Sequence, residues 1–399
     1  MNKTPIVWIR ADGNSEIASG HLRRCLSIAD ALSERGARVI FLVADEMSAE
    51  LLRKMAGRYF TGSSKLENQS DAADPGDSGG TNDVDSSGSS RMEMIVLHTD
   101  YHKPKTDGDA LTVFYRKCPP DFLLIDSYFM KAEDFTRLNA ILPDVPIGYI
   151  DDLAACDPAV DLLINYGANP PESFYRAAKK CLFGPMFAPL RDQFAKAGSA
   201  YAVRDRVERI LLTTGGTDPY GMAERIIRGI AGEKVLASVR IAWVQPSVSG
   251  GNDGRSMLES GEMIDRDPRV EIHRQVTQMA DLMAFCDLAV SAGGTTLYEL
   301  CAVGVPTVAF SMADNQQSFA GRLAETGAIT CVGDVRPMGD QKQFDSAEET
   351  AVQIVSWLAA QANDTAGRRQ ISEKMRALTD GRGAGRIAEE ILSIKKVQG

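Results

Sequence analysis

The chain has 399 residues, 44% of them hydrophobic and 25% charged, with a formal net charge of -10 at pH 7. That length exceeds what a single hydrophobic core serves and predicts two domains. The charge excludes a general nucleic-acid binder, whose phosphate contacts need a basic surface, but is compatible with a local positive pocket for a diphosphate.

The seven cysteines, Cys25, Cys118, Cys156, Cys181, Cys286, Cys301 and Cys331, are scattered, and none stands in a C-x-x-C pair. They read as reduced thiols, with no disulfide framework and no zinc site. Met1 to Arg10 runs from polar residues into a strand-like segment without a signal-peptide pattern. No apolar run approaches the roughly 20 residues a membrane helix requires. The expectation is a cytoplasmic protein with no membrane partner. The oligomeric state, a monomer at its simplest, is left open.

In chain order, Ile6–Ile9 is a short β-rich run, followed by a polar loop from Ala11 to Gly20. Leu22, Cys25, Leu26, Ala29 and Leu32 then recur at helical spacing, with Gly36 where a helix would stop. Arg38–Val43 is a second buried-strand run, so the first 43 residues make a βαβ unit and imply a parallel sheet. From Thr61 to Arg91 the composition turns to Ser, Gly, Asp and Asn, which reads as a disordered insertion. Strand patterns resume at Met94–Leu97, Phe122–Ile125, Ile147–Ile150 and Leu162–Ile164.

A second α/β series follows, with strands expected at Ile210–Thr214, Val239–Gln245, Val270–His273, Asp287–Ser291 and Val305–Phe310. Helices are expected from about Gly221, at Met279–Phe285, at Thr295–Ala302, and as two C-terminal patterns near Ala347–Gln361 and Gly367–Lys396. The organisation is a first domain over residues 1–190 and a second over 205–399, joined near Pro185–Arg204. Whether the last helices return to the first domain is left open.

Ligands of open α/β sheets bind at loops after the carboxyl ends of the strands, and three glycine-bearing loops have that location. The first, Arg10 to His21, sets an imidazole at a helix N-terminus, whose positive end disfavours imidazolium. His21 is therefore expected to be neutral near pH 7 and able to accept a proton. A histidine that merely packs there would have the same sequence. The second, Thr213 to Pro219, offers backbone N–H groups suited to an anion, although paired glycines also make simple turns. The third, Ser291 to Glu299, says more. Gly293 and Gly294 let the backbone approach a diphosphate, Thr295 and Thr296 add hydroxyls, and Glu299 lies where it can accept both hydroxyls of a ribose. The segment is neither a GxGxxG fingerprint nor followed by a P-loop lysine, which disfavours NAD and ATP.

Taken together, these segments resemble the UDP-2,4-diacetamido-2,4,6-trideoxy-β-L-altropyranose hydrolase family of pseudaminic acid biosynthesis, whose relatives include spore-coat polysaccharide biosynthesis proteins. The likeness rests on Arg10–Arg24, Leu124-Ile125-Asp126-Ser127-Tyr128, Tyr149-Ile150-Asp151-Asp152-Leu153, Gly215–Pro219, Ser291–Glu299 and Ala313-Asp314-Asn315-Gln316. Ser291–Glu299 is also similar to the nucleotide-binding segment of the glycosyltransferase that makes lipid II. The resemblance implies a GT-B architecture, two Rossmann-like parallel-sheet domains facing each other across a cleft, the second holding UDP.

Residue by residue, the resemblance makes His21 the base that activates water, and assigns Arg10, Asp12, Gly20, Tyr128, Asp218 and Asn315 to the sugar side. It assigns Gly215, Gly216, Ser291, Gly293, Gly294, Thr295, Thr296 and Glu299 to UDP, and implies no cofactor and no metal. One departure stands out: where the family has glycine in Ile-Gly-Ser/Thr-Gly-His, this chain has Ala18, which tolerates positive φ poorly.

The implied reaction is hydrolysis of a UDP-linked amino- or deoxy-sugar with inversion at the anomeric carbon. A UDP leaving group is already a stabilised anion, so the second carboxylate of ordinary glycosidases is dispensable, whereas a base for water is not. The rivals are an inverting glycosyltransferase, in which the same base serves an acceptor hydroxyl, and a non-catalytic UDP-sugar binding module. A lipid acceptor would need an apolar, basic surface, for which Leu51, Leu52, Met55, Tyr59 and Phe60 with Arg53, Lys54 and Arg58 are the candidates; they read more simply as a packed helix.

Overall fold

A computed structural model of the chain describes residues 3–14, 16–17, 19–56, 92–245, 267–336 and 346–394. The expected insertion at 61–91, Ala18, and Arg58, Tyr59 and Phe60 lie outside the described residues. The chain divides into two compact units: Met1–Asn165, Pro170–Phe183 and Ala384–Gly399 in the first, Tyr166–Asn169 and Gly184–Gly383 in the second.

In the first unit β1 (Ile6–Ala11), β2 (Arg38–Val43), β3 (Glu93–Val96), β4 (Phe122–Asp126), β5 (Ile147–Ile150), β6 (Leu162–Asn165) and β7 (Cys181–Phe183) form one sheet. The strand order is β3-β2-β1-β4-β5-β6-β7, with every pairing parallel. Parallel strands are covered on both faces, which is why the central ones are near-continuous apolar runs: β4 and β5 are buried at every position. Against one face Trp8, Ile40, Leu42, Leu123, Ile125 and Ile147 pack with Phe135 and Leu138, which come from α4 (Ala132–Ile141).

The helix α1 (Gly20–Glu34) buries Leu22, Cys25, Ile28, Ala29 and Leu32, the spacing read from the sequence. The helix α2 (Glu46–Ala56) buries Leu52 while leaving Arg53 and Lys54 exposed. A further helix, α3 (Asp107–Lys117), precedes β4.

The second unit repeats the plan with β8 (Arg209–Thr213), β9 (Arg240–Val244), β10 (Val270–His273), β11 (Leu288–Ala292), β12 (Thr307–Ser311) and β13 (Thr330–Asp334). Their order is β10-β9-β8-β11-β12-β13, again all parallel. Ile210, Leu212, Ile241, Val290, Val308 and Phe310 pack on Ile226 and Ile230 of α6 (Met222–Gly232) and on Ile354 and Leu358 of a long C-terminal helix, Ser346–Ala362. Residues 185–204, read from the sequence as a connector, carry α5 (Asp192–Ala200) within this unit, and α7 (Met279–Phe285) precedes β11.

Three features differ from the sequence reading. The segment 367–396, expected as one helical pattern, is two helices, Thr365–Leu378 and Gly383–Ser393. The chain turns between them at Gly381, with φ of +76° and a Cα hydrogen facing the Ala195 backbone where a side chain would collide. The strand β13 was not anticipated, because all five of its residues are only partly buried or exposed and it lacks the apolar run of its neighbours. Neither was the helix Asp314–Glu325, whose buried residues are only Ala320 and Leu323. All seven cysteines are free thiols.

Both sheets reverse direction of strand order at one place, between β1 and β4 in the first unit and between β8 and β11 in the second. The crevice outside the carboxyl ends at such a reversal is where open α/β sheets take ligands.

Candidate functional site

At the first reversal β1 and β4 end in register, Ala11 opposite Asp126. Asp126 closes an apolar strand with a carboxylate that is fully buried. His21, on the first turn of α1 and 4% exposed, brings Nδ1 to 2.6 Å from Asp126 Oδ1. Arg24, three residues along the same helix face, donates Nε to Asp126 Oδ2 and Nη2 to Oδ1, both at 2.5 Å. Its Nη1 reaches Asp152 Oδ2 at 2.6 Å.

Burial alone would raise the Asp126 pKa, but Arg24 and then His21 hold the carboxyl well below the usual carboxylate range. A bare Nδ1 lone pair set against an ionised oxygen at 2.6 Å would be repelled, so the proton is assigned to Nδ1. That tautomer leaves Nε2 as the acceptor, the arrangement a general base needs. The sequence reading invoked only the helix terminus for His21; the structure adds a carboxylate and a guanidinium at its other nitrogen.

Tyr128 is 43% exposed and stands edge-on to the imidazole, ring centroids 4.3 Å apart. Its hydroxyl lies 3.4 Å from Asp152 Oδ2. Loss of water, then the Asp152 and Asp126 charges, push its pKa up to about 12 against the opposing Arg24, so it is a neutral phenol at ordinary pH. His21, Tyr128, Asp12, Ile17, Tyr101 and Phe129 wall one small recess.

Arg10 and Asp12, both assigned to the sugar from sequence, are buried and bonded to each other. Arg10 Nε also donates to Asp107 Oδ2 at 2.6 Å, and Asp12 Oδ1 accepts from the Ala44 amide at 2.7 Å. Burial opposes the Arg10 charge, but Asp12 and Asp107 more than offset it and raise the guanidinium pKa. Asp12 touches the recess, whereas Arg10 donates to the two aspartates. Gly20 is the exposed first residue of α1.

At the second reversal Ser291 of β11 lies opposite Thr213 of β8, so the two glycine loops leave neighbouring strand ends. Gly215 has φ of +81°, and both Gly215 and Gly216 are exposed. Thr214 between strand and glycines is buried, with no partner for its hydroxyl among the described residues. Asp218 accepts from the Met222 and Ala223 amides at 2.8 and 2.9 Å, capping α6. Burial nevertheless raises its pKa.

Gly293 has a packing role: its amide donates to Phe310 O at 2.8 Å, and a Cβ there would meet Gln316 O at 2.9 Å. Gly294, by contrast, has open space where a Cβ would stand. Ser291 Oγ bonds the Ala292 carbonyl at 2.9 Å. Thr295 and Thr296 begin the helix α8 (Thr296–Val303), in whose first turn the Leu297 and Tyr298 amides donate to the Gly294 and Thr295 carbonyls at 3.0 Å. Glu299, one turn on, faces Arg191 at 3.8 Å. Asn315 is exposed on the first turn of α9 (Asp314–Glu325) and accepts from the Gln316 amide.

Within the first unit the structure thus brings His21, Asp12 and Tyr128 together, and within the second it brings the two glycine loops together. Sequence reasoning missed Asp126 and Arg24 as partners of His21, and Asp152 as a partner of Arg24. The signals were present: a carboxylate ending the Phe122–Ile125 apolar run, and an arginine at i+3 from the histidine. No helix among the described residues is long and apolar enough to cross a membrane, and no cluster of metal-ligating side chains occurs among them.

No protein-family model matches the chain. Among curated proteins it is similar to the spore coat polysaccharide biosynthesis protein SpsG of Bacillus subtilis, 26% identical over 175 residues, 43% of this chain and 50% of SpsG. The chain spans about half the length of the curated relatives it matches. Among solved structures it is similar to MurG of Acinetobacter baumannii, with TM-score 0.61 and 13% identity over 98% of this chain and 100% of that one. It is also similar to Arabidopsis thaliana UGT89C1 complexed with UDP-L-rhamnose, with TM-score 0.57 and 13% identity over 98% and 100% of the two chains. The chain is therefore similar in sequence to SpsG over part of its length, and its two units, each a parallel sheet of Rossmann-like plan, have the fold that MurG and UGT89C1 share.

Proposed function

We propose that the chain is a glycosyltransferase-like enzyme of polysaccharide biosynthesis that moves a sugar from UDP, with His21 as the base that deprotonates the attacking hydroxyl. The observation that carries the reading is the buried His21–Asp126 pair at a strand-order reversal, its Nε2 directed away from the carboxylate as an acceptor. As the hydroxyl attacks the anomeric carbon, its proton passes to Nε2, and the bond from that carbon to the UDP oxygen breaks with inversion. Asp126 stabilises the imidazolium that results. UDP leaves as a stabilised anion, so no acid is required.

On this reading the second unit holds the nucleotide. The α8 N-terminus with Gly294, Thr295 and Thr296, and the exposed loop at Gly215 and Gly216, receive the diphosphate. Gly293 supports that turn, Ser291 closes the strand beneath it, and Glu299 takes the ribose. Tyr128, Asp12 and Gly20 meet the sugar from the first unit, with Arg10 holding Asp12 in place; in the second unit Asp218 caps α6 after the Gly215–Gly216 loop, and Asn315 is exposed on the first turn of α9.

A second reading, hydrolysis of the UDP-sugar, uses the same base on water in place of an acceptor hydroxyl, and the sequence resemblance set out above favours it. Incubation with a panel of UDP-sugars in heavy-oxygen water, with and without candidate acceptors, separates the readings. A new unlabelled glycoside plus UDP supports transfer; free sugar carrying the label supports hydrolysis. Sugar nucleotide bound but unchanged under both conditions refutes both and leaves a binding module.

A further inference from the structure

The carboxylate beside His21 is not free to act as a full counter-charge. Arg24 donates to both of its oxygens at 2.5 Å and places Nη2 only 3.0 Å from His21 Nδ1. The other carboxylate at the recess, Asp12, is matched in the same way by Arg10. Each of these two acids is thus held by a guanidinium, which it shares with a second carboxylate: Asp152 for Arg24 and Asp107 for Arg10.

We propose that Arg24 is a positioning residue for His21: by holding both oxygens of Asp126, it turns that carboxylate into an orienting acceptor and draws off part of the charge that Asp126 would otherwise present to the imidazole. A lone buried carboxylate at 2.6 Å would favour imidazolium strongly and occupy the base with a proton before any substrate arrived. Arg24 offsets part of the charge of the two carboxylates it binds, Asp126 and Asp152, while the Nδ1–H···Oδ1 bond still fixes the ring. The remaining titratable and charged groups around the imidazole fit this balance. From its own helix Cys25 Sγ faces Asp126 Oδ2 at 3.5 Å, and burial raises that thiol well above its ordinary range, so it brings no charge. Tyr128 from the loop after β4 and Tyr101 from the loop after β3 are neutral phenols, both pKa values raised. Asp152, after β5, acts on the ring through Arg24 Nη1.

The proposal deepens the reading of His21 as the base, but its test does not depend on activity. In full-length protein carrying nitrogen-15 histidine, the His21 signals are identified by their loss in His21→Gln. Wild type is expected to show the Nδ1–H tautomer. In Arg24→Met the exposed charge of Asp126 moves the His21 titration midpoint up by about 1 pH unit or more, and Arg24→Lys returns it toward the wild-type value. A parallel pH–rate profile for UDP release moves its acidic limb the same way. An Nε2–H tautomer in wild type, or a folded Arg24→Met protein with an unmoved midpoint, overturns the proposal. Should Arg24→Met fail to fold, Asp126→Asn decides in its place: facing Arg24 without the carboxylate, His21 titrates at lower pH, and an unmoved midpoint is again contrary. Full activity in His21→Gln would defeat the catalytic reading while leaving the titration result standing, so the two failures are distinguishable.

Discussion

The two strand-order reversals share a backbone plan and almost nothing else. At the end of β1 and β4 the first unit concentrates buried charge: His21, Arg24, Asp126, Arg10 and Asp12, each bonded to another. At the end of β8 and β11 the second unit sets out glycines, threonines and helix N-termini, with Asp218 absorbed into a cap. Buried, mutually paired ionisable groups are suited to moving a proton; open backbone amides and hydroxyls are suited to holding an anion. One topology used twice thus presents two different chemistries, and the residues at the strand ends make the difference.

The sharpest way to break that comparison is to remove the base. His21→Ala is expected to lower turnover of a UDP-sugar by about 10²–10⁴-fold, the usual worth of a positioned general base. Next comes the charge knot itself. Asp126→Asn leaves the buried Arg24 without its bidentate partner and is expected to cost about 3 kcal/mol or more in denaturant unfolding near neutral pH.

The pH dependence of that loss has a definite direction. The folded-state pKa of Asp126 is depressed, so its contribution is fully present above the unfolded value of about 4 and fades as pH falls toward the lower folded value. Wild type and Asp126→Asn should therefore converge in stability as pH is lowered below about 4; parallel curves throughout would contradict the ion-pair account.

In the second unit the effects should be on binding and packing. Glu299→Gln is expected to weaken UDP about tenfold by calorimetry, the scale of one charge-assisted hydrogen bond to the ribose. The smallest effect is structural: Gly293→Ala sets a Cβ at 2.9 Å from Gln316 O and should cost about 1–2 kcal/mol, read as a lowered melting temperature.

Much of this organisation was legible in the sequence because buried parallel strands must be apolar throughout. Phe122–Ile125, Ile147–Ile150 and Val305–Phe310 announce themselves, and the polar, glycine-bearing loops after strands then mark the ligand ends. β13 and α9 were hidden for the converse reason: partly exposed elements carry no strong period. The break at Gly381 was hidden because the helical period continues on both sides of it. His21 was found through its loop, yet its partners were not, since Asp126 and Asp152 lie 105 and 128 residues from His21 and Arg24, respectively, and meet them only through strand pairing. Gly293 was read as making room for a ligand; that it also makes room for α9 was not visible in the sequence.

The most direct test of the central division is the UDP affinity of His21→Ala, measured by calorimetry on the same preparation used for turnover. The account predicts affinity within about twofold of wild type alongside the loss of turnover, because uniform binding and proton transfer reside in different units. A fall in UDP affinity that matches the fall in turnover, or turnover that survives the substitution, would contradict it.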